Sequence, residues 1–132
     1  MPTIAFLTIL ADVVRVNDPL LVSKCAMRYF AAMTHVRVWR FKPPADREAA
    51  FLDAYGPTGR WARLFAVTAD YKGTHLLRPE EPGGYWLTID RWASREAFDR
   101  FQKSHGKTYR RIDAELQEIA GEEEFIGTFE EP

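Results

Sequence analysis

Three histidines in this sequence stand among apolar residues and could take part in proton transfer. His105 falls between Phe101 and Tyr109 on an apolar stripe, and His75 lies in the middle of a segment with strand-like alternation. An imidazole titrates near neutral pH, so either side chain could act as a general base. We predict His105 and His75 as the catalytic candidates, and His35, at the start of a strand, as a weaker one. Each could instead be a packed or solvent-facing histidine with no reaction to perform.

Aromatic and cationic side chains could bind a ligand. Trp39 and Trp92 could form walls for a planar molecule, because stacked rings bury a large area and fix its orientation. Tyr109 could donate a hydrogen bond to an oxygen atom, and Arg37 could stabilise a developing negative charge. All four also have a structural explanation: a strand Trp packs in the core, a helix Tyr keeps its hydroxyl at a rim, and a strand Arg pairs with a carboxylate such as Asp90.

The sequence excludes several other kinds of reaction. It has no glycine-rich phosphate loop, no serine at a nucleophile elbow, and no cluster of histidines and carboxylates at metal-ligand spacing. Cys25 is the single cysteine, which rules out an intrachain disulfide and a thiolate metal cluster and agrees with a reducing cytoplasm. We therefore predict a cytoplasmic protein without a metal or cofactor, in which any reaction begins with activation of the substrate itself.

Length and charge limit the possible partners. The chain has 132 residues, near the usual size of one domain, and its net charge of −1 leaves no electrostatic footprint for nucleic acid or an anionic membrane surface. No stretch reaches the roughly 18 to 20 apolar residues that span a bilayer. We predict neither a nucleic acid nor a membrane as partner. The aromatic content of 14% suits either a dense core or an apolar pocket.

The first 32 residues do not share the pattern of the rest. They show no sustained period, and the apolar run at 4–10 lacks a preceding basic residue, so we do not expect a secretory signal. We predict that residues 1–32 are a loosely ordered extension or the product of a mis-assigned start, and that the folded domain comprises residues 33–132.

The rest of the chain is organised around one change of period, where a strand passes into a helix. Apolar residues alternate from Gly84 to Asp90, and after Ser94 they recur every three or four positions. The Ser94 hydroxyl can cap the helix, although Gly106 could interrupt it. The elements predicted in chain order are strand 34–41, helix 46–55, a short helix within 59–67, strand 71–78, a strand from 85, a helix from 94 to 121 and strand 125–130.

This order predicts an α+β, ferredoxin-like fold of the split-βαβ type. Its four-stranded antiparallel sheet carries helices on one face only. Apolar residues occur on both faces of the predicted strands, so the second face needs a cover, and a second copy of the chain is the most economical one. We therefore predict a homodimer.

Two motifs resemble a known family. The run WASREAF at 92–98, directly after a Leu-Thr-Ile strand, resembles the antibiotic biosynthesis monooxygenase superfamily of dimeric α+β barrels. The likeness covers about residues 33–130. The phrases YGPTGRWARLF at 55–65 and GTHLL at 73–77 are similar to one subgroup, in which small bacterial proteins carry the fold without an assigned reaction.

The resemblance implies a cofactor-independent monooxygenase that oxidises a small aromatic or quinone-type compound in a pocket between sheet and helices. Such an enzyme deprotonates an electron-rich phenol, which then passes an electron to oxygen. A non-catalytic dimeric binding or stress-response module is the alternative. Haem degradation is a minor alternative. The haem-degrading members of the family resemble each other in an Asn, a Trp and a His, and of these only the Trp is matched here, by Trp92. Trp39 stands at the position of the Asn, and Arg111 stands near that of the His.

Overall fold

Residues 33–132, which the computed structural model describes, form a sheet with helices packed on one face. The predicted extension at 1–32 lies outside the described residues. A short 3-10 turn precedes the first helix. The elements are β1 (Thr34–Lys42), α1 (Glu48–Tyr55), α2 (Arg60–Phe65), β2 (Tyr71–Leu77), β3 (Trp86–Trp92), α3 (Arg95–Ala120) and β4 (Glu122–Glu131).

The sheet has four strands in the order β2-β3-β1-β4, and every neighbouring pair is antiparallel. This is the predicted ferredoxin-like arrangement, which is thus confirmed. β1 lies at the centre, where Arg37 faces Asp90 and Trp39 faces Thr88 across the pairing with β3. Side chains at directly opposite positions of an antiparallel pair lie on the same face, so all four of these point toward the helices.

The strand β4 begins three residues earlier than the sequence pattern predicts, at Glu122 instead of Phe125. It does so because it pairs along the whole length of β1, with Glu123 opposite Phe41. The register shifts at a bulge next to Val38, and Gly127 there has a φ of 152°, a conformation that favours glycine. As a result Glu123 and Phe125 lie on the helix-covered face of the sheet.

The long helix α3 begins as predicted. The Ser94 hydroxyl accepts a hydrogen bond from the backbone N–H of Ala97 at 3.1 Å. Gly106 does not interrupt the helix, which continues for 26 residues to Ala120. One face of α3 packs against the sheet through the buried residues Ala97, Phe98, Phe101, Ile112, Leu116 and Ala120.

Aromatic rings dominate the core between sheet and helices. Phe51 of α1 is completely buried, with ring centroids of Tyr55 at 4.6 Å and Trp86 at 5.4 Å. Trp92 of β3 is also completely buried, with Phe101 at 5.1 Å. Such rings combine large buried areas with favourable tilted or edge contacts.

The opposite face of the sheet is mixed in character. It carries exposed apolar side chains such as Leu77 and Phe129. Charged residues on it are paired, as in the contact of Arg91 with Glu131 at 3.1 Å. The homodimer expected to cover this face stays a prediction. Among residues 33–132, none of the helices is both long and apolar enough to cross a membrane.

Substituting Phe51 tests the aromatic core. Phe51→Ala removes a fully buried ring and should lower the free energy of unfolding by about 3 to 5 kcal/mol. Leu52→Ala, at the next position of α1 where the side chain is 38% exposed, should cost less than about 1 kcal/mol. Urea unfolding followed by circular dichroism measures both. Equal losses for the two variants would contradict the described orientation of α1.

Candidate active site

An aromatic cavity of about 220 Å³ lies between the sheet and its helices. Every strand and every helix contributes to its lining. The lining residues are Trp39, Phe41, Tyr55, Trp61, Phe65, Thr74, Thr88, Asp90, Tyr109, Asp113 and Glu123. Such a mostly apolar hollow with a few polar groups is typical of a small-molecule site.

Asp90 is a partly exposed acidic group whose carboxylate faces this cavity. The Thr74 hydroxyl of β2 donates a hydrogen bond to its carboxylate. Because that uses the only proton of Thr74, the Tyr71 hydroxyl must donate to Thr74 in turn. Burial raises the pKa of Asp90 to about 6, although the Thr74 hydrogen bond and the charge of Arg37 oppose the rise. A carboxylate with a pKa near 6 suits a general base at neutral pH.

Arg37 supplies the positive charge nearest to this carboxylate. Its guanidinium carbon lies 3.9 Å from the ring centroid of Phe98 and 4.7 Å from that of Phe125. Burial lowers the pKa of Arg37, while the charges of Tyr109 and Asp90 oppose the change. An arginine held on aromatic faces stays charged and is fixed in position. It can therefore stabilise negative charge that develops beside Asp90.

Tyrosine and tryptophan side chains supply hydrogen-bond donors to the cavity. Burial raises the pKa of Tyr109 to about 12 and also raises that of Tyr55, so both hydroxyls keep their protons. Trp61 packs on Tyr109 with 4.8 Å between ring centroids. Its indole N–H lies near enough to the Tyr55 hydroxyl to oppose the rise in that pKa, but it makes no hydrogen bond of normal geometry within residues 33–132.

The side chains predicted to bind ligand divide into two groups. Trp39 and Tyr109 line the cavity. Arg37 is not part of the lining, but it lies on the same face of β1 and opposite Asp90. Trp92 packs between Phe65 and Phe101 inside the core and does not reach the cavity. Ligand binding by these residues stays a prediction.

The two histidines predicted as catalytic lie elsewhere. His105 stacks on Phe101 with 5.2 Å between ring centroids and is partly exposed. The Nδ1 atom of His75 lies 2.7 Å from the guanidinium of Arg91, on the sheet face opposite the helices. Neither lines the cavity, so their catalytic roles stay predictions that this cavity does not support.

The sequence pattern did not single out Asp90, Thr74, Trp61 or Glu123 as site residues. Asp90 entered the sequence argument only as a partner for Arg37. The signal that could have found it is its place on β3, where it shares the buried face with Trp86, Thr88 and Trp92. A carboxylate on the inward face of an otherwise apolar strand is expensive to bury, so it marks a candidate site.

The fold and cavity together define a ferredoxin-like α+β domain with an aromatic site between its sheet and helices. The chain belongs to the antibiotic biosynthesis monooxygenase family, whose sequence pattern matches residues 34–112. The resemblance to this family is thus confirmed, whereas the similarity of the second motif to one subgroup stays a prediction. No curated protein matches the sequence.

Several solved structures share the fold. SnoaB, a cofactor-independent oxygenase from Streptomyces nogalater, is 24% identical over 76% of this chain and 95% of its own, with a TM-score of 0.56. A protein described as a putative antibiotic biosynthesis monooxygenase from Nitrosomonas europaea is 14% identical over 78% and 94%, with a TM-score of 0.54. A conserved protein from Methanosarcina mazei is 11% identical over 80% and 99%, with a TM-score of 0.56.

Asp90 should make stability depend on pH. Its folded-state pKa of about 6 lies above the ordinary aspartate pKa of 3.8, so the native carboxyl stabilises the fold below pH 4 and loses that contribution as the pH rises through 6. Asp90→Asn should therefore raise the free energy of unfolding at pH 8 by up to about 3 kcal/mol, and by much less at pH 4. Urea titrations at the two pH values measure this, with Asp53→Asn on the exposed face of α1 as control. A gain that does not depend on pH would contradict the buried carboxyl.

Proposed function

We propose that this protein is a monooxygenase that uses molecular oxygen, without a bound cofactor, to oxidise a small aromatic or quinone-type compound bearing an ionisable hydroxyl. The observation that carries this proposal is Asp90, a carboxylate with a raised pKa inside an aromatic cavity. Membership of the monooxygenase family supports the reaction class. The similarity of the fold to that of SnoaB, a cofactor-independent oxygenase, supports a reaction without a cofactor.

The substrate lies in the cavity with its ring against Trp39 and Trp61 and its hydroxyl toward Asp90. The Thr74 hydrogen bond holds the carboxylate in place, so one of its oxygens can accept the substrate's proton. The resulting phenolate then meets the positive charge of Arg37 and the hydroxyl of Tyr109. These groups are positioned before the reaction and need little reorganisation as charge develops.

The overall reaction balances without an external reductant. The phenolate passes one electron to dioxygen, and the two radicals combine to form a C–O bond at a ring carbon. The peroxide takes back a proton from Asp90 and then loses water, which leaves a second carbonyl group. A phenol and one dioxygen thus give a quinone and one water, with all four electrons supplied by the substrate.

Two other functions remain to be distinguished. A non-catalytic binding module would use the same cavity and bind the same ligands without consuming oxygen. Haem degradation has less support, because Trp92 is sealed in the core and Arg111 reaches solvent beside Glu115. We also propose that the protein forms a homodimer and is located in the cytoplasm.

Oxygen uptake with Asp90→Asn tests the base directly. The variant keeps the shape of the side chain but cannot accept the proton, so kcat should fall by about 10²-fold or more while ligand binding persists. Hydroquinones and naphthols serve as the panel, with binding followed by quenching of tryptophan fluorescence. Asp53→Asn is the matched control and should be unchanged. Saturable quenching without oxygen uptake by the unmodified protein would mean a binding module.

The histidine variants separate the two possible bases. If Asp90 is the base, His105→Ala and His75→Ala keep kcat within about threefold of the unmodified enzyme. Loss of oxygen uptake in either variant, with Asp90→Asn still active, would instead establish a histidine as the base.

The rate should also depend on pH in a defined direction. Asp90 acts in its deprotonated form, so kcat/KM should be constant above its pKa of about 6 and fall about tenfold for each pH unit below it. Oxygen uptake across pH 4.5 to 8.5 measures the profile. A rate that rises as the pH falls would contradict a carboxylate base.

A further inference from the structure

The lining of the cavity is acidic as well as aromatic. Within residues 33–132 it contains three carboxylates, and no lysine, arginine or histidine. Arg37, which interacts with Asp90, is held on the rings of Phe98 and Phe125 outside the lining. Asp113 and Glu123 thus have no cationic partner in the lining itself.

Asp113 and Glu123 form one end of the cavity. Asp113 is on α3, one helical turn after Tyr109, and Glu123 lies opposite Phe41 on the sheet. Both residues are exposed, so this end opens to solvent. Among the described residues neither is within ion-pair distance of a basic group. Burial and the charge of Asp113 raise the pKa of Glu123, so the two carboxylates repel each other.

The two acidic residues next to Glu123 in β4 each have a polar partner. Glu124 points to the other face of the sheet and pairs with Arg40. Glu122 accepts a hydrogen bond from the Tyr85 hydroxyl at 3.3 Å. Glu123 therefore differs from both, since it faces an aromatic cavity and has no ion-pair partner among residues 33–132.

Trp61 gives a second, independent indication of a ligand. Its side chain lines the same cavity and is only 9% exposed, yet its indole N–H, although close to the Tyr55 hydroxyl, makes no hydrogen bond of normal geometry among residues 33–132. A buried donor of this kind costs free energy unless something accepts from it. An oxygen atom of a ligand within the cavity, such as a phenol oxygen, would satisfy it, whereas a protonated amine has no acceptor to offer.

The two polar ends of the cavity are well separated. Asp90 lies opposite Arg37 and Glu123 lies opposite Phe41, four residues further along β1. At 3.3 Å per residue these positions are about 13 Å apart along β1, and because Asp90 and Glu123 lie on the two strands that flank β1, their Cα atoms are about 16 Å apart. Trp39 lies between them and Trp61 borders the same space, so a ligand that reaches both ends has its middle against aromatic rings.

We propose that the open end of the cavity, formed by Asp113 and Glu123, binds a protonated amine on the ligand whose hydroxyl meets Asp90. The ligand class is then an aminoalkyl-substituted phenol. The phenol end rests on the proposed function, whereas the amine end rests on the two carboxylates and the tryptophans alone. An ammonium group pairs with carboxylates and is attracted to the faces of tryptophan rings.

Isothermal titration calorimetry with matched phenols tests this. Tyramine is the cationic probe, para-ethylphenol the neutral one and para-hydroxyphenylpropanoate the anionic one. At low salt, tyramine should bind about tenfold more tightly than para-ethylphenol, and the anionic compound should bind most weakly. The advantage of tyramine should shrink as salt is added, because the open end is exposed to solvent.

Substitution of the two carboxylates identifies their role. In a protein carrying both Glu123→Gln and Asp113→Asn, tyramine and para-ethylphenol should bind within about twofold of each other. Glu124→Gln, next in sequence but on the other face, should keep the tyramine preference. A preference that survives the double substitution, or equal binding of the two probes to the unmodified protein, would overturn the amine site.

Phenethylamine, which lacks the hydroxyl, separates this inference from the proposed function. Its binding should depend on Glu123 and Asp113 even if no phenol supports oxygen uptake, in which case the amine site stands and the monooxygenase proposal fails. Oxygen uptake that depends on Asp90 but shows no amine preference would leave the monooxygenase and overturn the amine site. No measurable binding of any probe would overturn the amine site as well.

Discussion

The burial of one carboxyl group, that of Asp90, constrains much of what surrounds the cavity. An ionised carboxylate removed from water is costly unless hydrogen bonds or opposite charges compensate for it. Here the compensation comes from Thr74 on one neighbouring strand and Arg37 on the other. Because β3 lies between β2 and β1, this requires the strand order that the fold provides. The fold and the electrostatics of the site are therefore linked.

The aromatic residues both fill the interior and leave part of it open. Around Phe51 and Trp92 the rings pack closely enough that neither side chain has any exposed surface. Between these two regions the rings of Trp39, Trp61 and Tyr109 border the cavity instead. Large planar side chains are stiff and cannot easily collapse into a gap, so a hollow between them can persist without a ligand.

Sequence patterns predicted the fold well because the signals were local. The predicted strand at 34–41 corresponds to β1, and Ser94 marked the start of α3. Gly106 was a misleading signal: it lies buried within a continuous helix beside the side chain of Arg110, so its low helix propensity is outweighed by packing on both sides.

The site was less predictable because it depends on long-range register. Trp39, Tyr109 and Arg37 were identified by residue type alone. Asp90 could be recognised only once its neighbours Thr74 and Arg37 on other strands were known. Burial, which raises its pKa, is a property of the assembled layers and has no counterpart in the sequence.

The one extra residue at the bulge in β4 determines which side chains of this strand face the cavity. Val38 pairs with Gly127 and Trp39 with Phe125, so Ile126 is left without a partner. With regular pairing, every residue of β4 before the bulge would turn to the opposite face, since side chains alternate. Glu124 would then enter the cavity in place of Glu123. A strand of the same sequence that paired without the bulge would thus place Glu124 in the wall of the site instead of Glu123, with no residue substituted. Relatives aligned without regard to the bulge would be compared at the wrong side chains.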